Sequence, residues 1–142
     1  ITEKNFRTHF PDTSAQFIVS DLLWVFLNAQ NQEFNQSTNL LFLTNLPYIK
    51  DADWQNMSPD TVYEPKLALF WWEKTGFELY EKLFEQLLFL SQSNNQFSIH
   101  CIFEFGFDQR EIAEQILNQY PDWKYSFFAD YAGIERFGEI TI

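Results

Sequence analysis

Glycine, cysteine and basic residues are all scarce in this chain of 142 residues. Its four glycines fall well below the usual share of about 7%. The single cysteine, Cys101, excludes an internal disulfide. Because Cys101 lies inside an apolar run, we expect a small buried hydrophobe, and a reactive thiol is the less favoured alternative. This use of cysteine fits a reducing cytoplasm.

Positive charge and long apolar runs are also lacking. Nine Lys and Arg stand against 20 Asp and Glu, and the net charge of −11 argues against binding to a nucleic-acid backbone. No run reaches the roughly 18 apolar residues of a membrane span, and the first residues, ITEKNFRTHF, do not have the pattern of a signal peptide. These features predict one soluble, unprocessed, cytoplasmic domain that buries roughly two thirds of its unfolded surface.

Apolar patterns along the chain predict an α/β fold without internal repeats. Helical spacing is clear in two segments, whose predicted inner faces are Phe77, Tyr80, Phe84, Leu87 and Leu88, and then Ile112, Ala113, Ile116, Leu117 and Tyr120. Strands are predicted at 15–23, 39–49, 97–107, 123–131 and 136–142, helices at 76–92 and 110–120, and loops at 28–39 and from about 50 to 75. The second strand, NLLFLTNLPYI, has the composition of a strand covered on both faces in a parallel sheet. The last two strands form a hairpin around AGIE.

A group of Asn45, Leu46, Pro47 and Tyr48 ends the second strand, where α/β proteins commonly bind ligands. The Asn45 side-chain oxygen and the Leu46 carbonyl offer two acceptors for the hydrogens of one NH2 group, and Pro47 restricts Leu46 to extended geometry. Tyr48 is placed to cover a planar group. Such a clamp suits methyl transfer to a weak nitrogen nucleophile, for which positioning is the main help. The alternative for the isolated tetrapeptide is a simple turn with Tyr48 in the core.

Four ordered blocks resemble the HemK/PrmC family of protein-(glutamine-N5) methyltransferases, which modify peptide chain release factors. The family's Asn-Pro-Pro-Tyr-Ile is similar to Asn45–Ile49, and its aromatic-Glu-Pro and Ala-Leu are similar to Tyr63-Glu64-Pro65 and Ala68-Leu69. The other blocks are VSDLL (19–23), FEFGFDQREIAEQIL (103–117, with Glu104, Gly106 and Gln109 in step) and DYAGIER (130–136). The resemblance implies a partial class I, Rossmann-like fold that uses S-adenosylmethionine, with a mostly parallel sheet and an antiparallel C-terminal hairpin.

The resemblance also implies roles for individual residues. Asn45 and Tyr48 are the expected catalytic residues, and the expected substrate-binding residues are Asn45, Leu46, Pro47, Tyr48 and Glu64. The expected cofactor-binding residues are Asp21, Leu22 and Asn45. Glu64 either braces the substrate loop or contacts the ligand. Asp130 and Arg136 are expected to form an ion pair in the hairpin, and the two isolated histidines, His9 and His100, receive no role as metal ligands.

The sequence departs from the family at three places. Leu46 replaces the first proline, which leaves the main-chain acceptor in place; Asn-Leu-Pro-Tyr also occurs in adenine-N6 methyltransferases acting on rRNA. Trp71 and Trp72 stand where the family has Gly-Gly. Since UGA is translated as Trp in some bacterial lineages and as Gly in others, we hypothesise reassigned glycine codons, which UGG codons in the gene would rule out.

The third departure concerns the donor. The family's glycine-rich loop and the acidic residue ending its second strand have no counterpart here, and ITEKNFRTH is similar to the helix after that second strand. We therefore expect the C-terminal part of a catalytic domain, with exposed sheet edges and apolar surface and weak or absent binding of S-adenosylmethionine. The alternatives are a non-catalytic half-domain, which would pair through its sheet edge into a homo-oligomer, and an adenine-N6 nucleic-acid methyltransferase.

Overall fold

A computed structural model describes residues 2–28, 39–50, 63–69, 75–93 and 97–142. The elements are, in chain order, α1 Thr2–His9, α2 Trp24–Asn28, β1 Asn39–Thr44, α3 Lys66–Leu69, α4 Glu78–Ser93, β2 Ser98–Glu104, α5 Arg110–Leu117, β3 Lys124–Ala129 and β4 Glu135–Thr141. Most of the two predicted loops falls outside these ranges, as do Trp71 and Trp72.

The strands form a mixed four-stranded sheet in the order β1-β2-β4-β3. β1 and β2 are parallel, with Leu40 opposite Ile99 and Phe42 opposite Cys101. β4 runs antiparallel to both β2 and β3. The α/β class and the closing hairpin are thus confirmed. The prediction of a mostly parallel sheet is wrong for the described strands, because two of their three pairings are antiparallel.

One face of the sheet carries the hydrophobic core. Alternate residues of β2 (Ile99, Cys101 and Phe103) are fully buried and belong to one cluster with residues of α4 and α5. The cluster includes Phe77, Tyr80, Leu83, Phe84, Leu87, Leu90, Phe105, Ala113, Leu117, Trp123 and Ile140. Cys101 is confirmed as a small core residue, and its burial raises the pKa of the thiol to about 12.

The two predicted helices are confirmed with different bounds: the first is Glu78–Ser93 instead of 76–92, so that Phe77 lies just before it, and the second is Arg110–Leu117 instead of 110–120, so that Tyr120 lies beyond its end. On α4 the predicted inner-face residues are fully buried except Leu88, which is partly buried. On α5, Ala113 and Leu117 are fully buried, while Ile112, Ile116 and Tyr120 are partly buried against the core. Within the described ranges, no helix is both long and apolar enough to cross a membrane.

The opposite face of the sheet is open. Leu41 is 64% exposed, Leu43 is 70% exposed and Ile102 is 40% exposed. The prediction that β1 is covered on both faces is therefore wrong for the described structure. Both core helices pack on the same side, so only alternate residues of the apolar run reach them, with Leu40 among the buried ones.

The strand predicted at 15–23 does not form. Residues 14–20 have no regular structure, and Phe17, Ile18 and Val19 are exposed. A strand needs a neighbouring strand for its backbone groups, and this segment joins no ladder of the described sheet. Instead the Val25 N–H donates to the Ser20 hydroxyl over 3.0 Å, and the chain turns into α2.

Candidate functional site

A cavity of about 220 Å³ lies where the chain leaves β1. The predicted substrate-binding residues share it: its lining consists of Asn45, Leu46, Pro47, Tyr48, Ile49, Glu64, Ala68 and Leu69. Asn45 and Glu64 are exposed, whereas Leu46, Pro47 and Tyr48 are half-buried. A backbone hydrogen bond of 3.1 Å from Ile49 N–H to the Leu69 carbonyl joins the two sides of the cavity.

Tyr48 is fixed at its hydroxyl by two charged groups. It donates to Glu104 Oε1 over 3.1 Å and accepts from an Arg136 Nη2 at 2.9 Å. The same guanidinium nitrogen lies 3.4 Å from Glu104 Oε1. Burial, together with the nearby Glu104 carboxylate, raises the pKa of Tyr48 above its usual value of 10.0. The phenol therefore stays protonated at neutral pH and works as a neutral hydrogen-bonding group.

The backbone of the same segment is held at both ends. The Leu46 N–H donates to the Tyr80 hydroxyl over 3.0 Å, and that hydroxyl donates to the Glu104 carbonyl. At the other end, the Tyr48 carbonyl accepts from Gln109 Nε2 over 3.0 Å. The segment is thus hydrogen-bonded to α4, to the end of β2 and to the start of α5.

Gln109 is the most buried polar residue of the site, at 1% exposure. Besides Tyr48, its amide nitrogen donates to the Thr75 carbonyl over 2.9 Å, and its oxygen accepts from the Gly106 N–H over 2.8 Å. Gly76 approaches closely at the same place. Its φ is +74°, and a Cβ atom there would lie 2.3 Å from the Tyr48 carbonyl oxygen. Only glycine fits this position without displacing Tyr48.

The two proposed acceptors have no partner within the described ranges. No hydrogen bond there occupies the Asn45 carboxamide or the Leu46 carbonyl. Asn45 also lines a second cavity, of about 260 Å³, on the open side of the sheet beside Leu43, Ile102 and Phe137. Asn45 therefore lies between the cavity behind β1 and the uncovered sheet face.

Asp21 and Leu22 lie apart from this group. The Asp21 carboxylate is 2.5 Å from Lys82 Nζ and lines a cavity of about 340 Å³ with Trp24, Glu85 and Gln86. Leu22 has a φ of 51° in the turn that leads into α2. Asn45 does not line that cavity. Among the cavities of the described residues, Asp21 and Asn45 therefore line different ones.

The predicted ion pair of the hairpin is wrong. Asp130 instead accepts hydrogen bonds from the N–H groups of Ala132, at 2.8 Å, and Ile134, at 3.0 Å, and so closes the turn. Arg136 points to Glu104 and Tyr48, as described above. A short Asp side chain at the start of a tight turn bonds its own backbone more readily than a side chain six residues away.

The sequence patterns predict no role for three residues that hold the site, Tyr80, Glu104 and Gln109, and they predict the wrong partner for Arg136. Glu104 and Gln109 were quoted only as parts of a family block, and Tyr80 only as an inner-face residue. The pattern could have indicated Gln109, because an amide just before an amphipathic helix follows the end of a strand. Nothing in the helical spacing distinguishes Tyr80, whose ring is core and whose hydroxyl alone reaches the site.

Comparison with known proteins agrees with the family resemblance. The chain is 34% identical to the release factor glutamine methyltransferase of Staphylococcus aureus over 96 residues, which are 66% of this chain and 33% of that protein. It is 33% identical to the release factor glutamine methyltransferase of Enterococcus faecalis over 98 residues, 68% of this chain and 34% of that protein. No family model matches the chain.

The chain spans about a third of the length of the curated relatives it matches. The aligned stretch nevertheless covers about two thirds of the chain itself. The chain belongs to the HemK/PrmC family of release factor glutamine methyltransferases and corresponds to a part of those proteins.

Proposed function

We propose that this chain holds the side-chain amide of a glutamine in a peptide chain release factor for N5-methylation with S-adenosylmethionine. The observation that carries the proposal is the cavity shared by Asn45, Leu46, Pro47, Tyr48 and Glu64. The relatives are release factor glutamine methyltransferases, which supports this substrate class. The absence of a hydrogen bond on the Asn45 carboxamide and the Leu46 carbonyl, within the described ranges, supports their use as acceptors.

The chemistry follows from the two acceptors. In the proposal, Asn45 Oδ1 and the Leu46 carbonyl oxygen each accept one hydrogen of the glutamine NH2 group. They hold the amide plane and present its nitrogen for attack, which is a contribution of positioning. As the nitrogen attacks, the bond between the methyl carbon and the sulfonium sulfur of the donor would break, and the donor would leave as a neutral thioether. Both oxygens would stabilise the positive charge that develops on the nitrogen, which then loses one of its protons to water. Pro47 shapes the slot, the Tyr48 ring covers the planar group, and Glu64 braces or contacts the substrate at the cavity rim.

Fewer residues are proposed to bind the methyl donor. Asp21 and Leu22 are proposed to border the adenosyl part of S-adenosylmethionine, but the cavity that Asp21 lines is separate from the two that Asn45 lines. The described residues account for the acceptor side of the reaction, and the donor side requires residues beyond them. A partner that supplies those residues, or a longer chain that contains them, is part of the proposal.

Two alternatives use the same cavity. A non-catalytic binding module is favoured by the open apolar sheet face beside Asn45. Adenine N6-methylation uses the same NH2 geometry, but the net charge of −11 opposes a nucleic-acid partner. The binding module is identified if glutamine binds but is not methylated when a complete donor site is present. Adenine N6-methylation is identified if the cavity binds adenosine in preference to glutamine.

The test uses two peptides that differ in one functional group. One carries the glutamine loop of a release factor, and the other has glutamate in place of that glutamine, which removes the NH2 group. We expect the NMR signals of the Asn45 side-chain amide to move with the glutamine peptide alone. Asn45→Ala should abolish binding, while Asn39→Ala, an exposed Asn at the other end of β1, should leave it intact. Equal responses to both peptides, or an unaffected Asn45→Ala, overturn the proposal.

A further inference from the structure

We infer that Tyr80 is a positioning residue, whose hydroxyl fixes the Leu46 amide to the end of β2 and so sets the direction of the Leu46 carbonyl. The inference rests on the proposed function only for what that carbonyl binds. Tyr80 belongs to α4 and does not line the cavity, so it acts through Leu46 rather than on a substrate.

The hydrogen bonds of Tyr80 have only one consistent direction. A phenol has one hydrogen to donate and an oxygen that accepts. The Glu104 carbonyl can only accept, so it takes the Tyr80 hydrogen, and the Leu46 N–H can only donate, so it bonds to the Tyr80 oxygen over 3.0 Å. One hydroxyl thus joins two backbone groups from different elements. Without it, the N–H and the carbonyl would both lose their partner.

The position of this hydroxyl is fixed by the core. The Tyr80 ring is fully buried, and its centroid lies 5.0 Å from that of Phe77 and 5.2 Å from that of Phe103. Close packing of this kind leaves the ring one rotamer. Burial also raises the pKa of Tyr80, so its hydroxyl keeps its hydrogen throughout the physiological range.

Leu46 is consequently held between two anchors. Tyr80 binds its N–H, Gln109 binds the carbonyl of Tyr48, and Pro47 between them has a fixed φ. Few backbone angles remain free in this stretch, and the peptide plane carrying the Leu46 carbonyl has little room to rotate. A purely structural Tyr80 would stabilise the fold without affecting that plane, which gives the two roles different observable effects.

The sequence offers a selective probe of this plane. Leu46-Pro47 is the one Leu-Pro pair in the chain. Labelling leucine with ¹³C at the carbonyl and proline with ¹⁵N therefore isolates the signal of the Leu46 carbonyl. Tyr80→Phe keeps the ring and removes the hydroxyl. Tyr125→Phe is the matched control, because it removes a hydroxyl that bonds the exposed Asn118 side chain over 2.7 Å.

In the free protein, we expect Tyr80→Phe to shift or broaden the Leu46 carbonyl signal and Tyr125→Phe to leave it unchanged. With the glutamine peptide, we expect the dissociation constant of Tyr80→Phe to rise about tenfold, as for one lost hydrogen bond. An unchanged Leu46 signal in the free, folded Tyr80→Phe protein overturns the inference, whatever the peptide does.

The two proposals fail separately. If adding the glutamine peptide leaves the NMR signals of the wild-type protein unchanged, the proposed function fails. The comparison of the free wild-type and Tyr80→Phe proteins still decides the role of Tyr80. If Tyr80→Phe does not fold, hydrogen exchange of the wild-type Leu46 amide decides it. Slow exchange supports the tether to Tyr80, and exchange as fast as that of an exposed loop amide overturns it.

Discussion

The guanidinium of Arg136 lies 2.9 Å from the hydroxyl of Tyr48, so the closing hairpin is hydrogen-bonded to the segment that follows β1. Glu104, at the end of β2, completes the group and accepts from Tyr48 over 3.1 Å. Three elements that are far apart in sequence therefore meet at one half-buried cluster beside the cavity. The family block DYAGIER contributes to the site through its last residue, while Asp130 shapes the turn that delivers it.

Replacing Arg136 with methionine tests this cluster. The variant keeps an aliphatic side chain but leaves the Tyr48 hydroxyl and the Glu104 carboxylate without their cation. We expect the free energy of unfolding to fall by about 1–2 kcal/mol, measured by urea denaturation. Arg7→Met is the control, because Arg7 makes an exposed pair with Glu3 and lies 5.7 Å from the centroid of the Phe17 ring at the surface, and the loss of both should cost about 0.5–1 kcal/mol. Equal losses in both variants would contradict the role given to Arg136.

Two glycines with similar backbone angles allow the cost of a left-handed backbone to be distinguished from the cost of a close contact. Gly76 has a φ of +74° and faces the Tyr48 carbonyl, whereas Gly133 has a φ of +80° with open space around it. Gly133→Ala should cost only the left-handed conformation, about 1–2 kcal/mol. Gly76→Ala adds a contact at 2.3 Å and should cost clearly more, while also weakening binding of the glutamine peptide. Urea midpoints measure both, and equal costs would show that Tyr48 moves away freely.

Side-chain periodicity correctly predicted those elements whose residue pattern is compatible with only one secondary structure. The spacing of α4 and α5 and the hairpin at the end of the chain are of this kind. It failed where the outcome depends on neighbours: residues 15–23 have strand composition but no pairing partner, and the apolar run of β1 does not say how many of its faces are covered. For the site, Asn45 to Tyr48 were indicated by their position at the end of the second predicted strand and by the family block, but the groups that hold them come from α4, β2, α5 and β4.

Binding of S-adenosylmethionine tests the division between acceptor and donor sides. Of the predicted donor contacts, Asp21 and Asn45 line different cavities, and the sequence lacks a glycine-rich donor loop. We expect isothermal titration of this chain with S-adenosylmethionine to give weak or undetectable binding. The glutamine peptide provides the positive control for a folded acceptor cavity. Micromolar binding of S-adenosylmethionine would show that the described cavities suffice for the donor.

Alkaline pH should weaken the fold through Cys101. Burial raises the pKa of this thiol from 9.0 to about 12. Between these values the unfolded thiol loses its proton while the folded one keeps it, so stability is fully present below pH 9 and falls as pH rises. We expect a loss of about 1 kcal/mol from pH 9 to pH 10 by urea denaturation. Cys101→Ala should reduce this loss by about 1 kcal/mol and leave the smaller part that comes from the buried Tyr48 and Tyr80, whose pKa values are also raised. The variant itself is less stable, but an unchanged slope would contradict the assignment.

The open face of the sheet predicts different effects for the same substitution at two leucines of one strand. Leu40 is 9% exposed and belongs to the core cluster, whereas Leu43 is 70% exposed on the other face. Leu40→Ala should therefore lower the free energy of unfolding by about 2–4 kcal/mol, and Leu43→Ala should change it by about 0.5 kcal/mol or less. If the open face instead pairs copies of this chain in solution, Leu43→Ala will also lower the mass measured by light scattering. A large loss of stability in a monomeric Leu43→Ala protein would mean that this face is covered, and that β1 is buried on both sides as its composition first indicated.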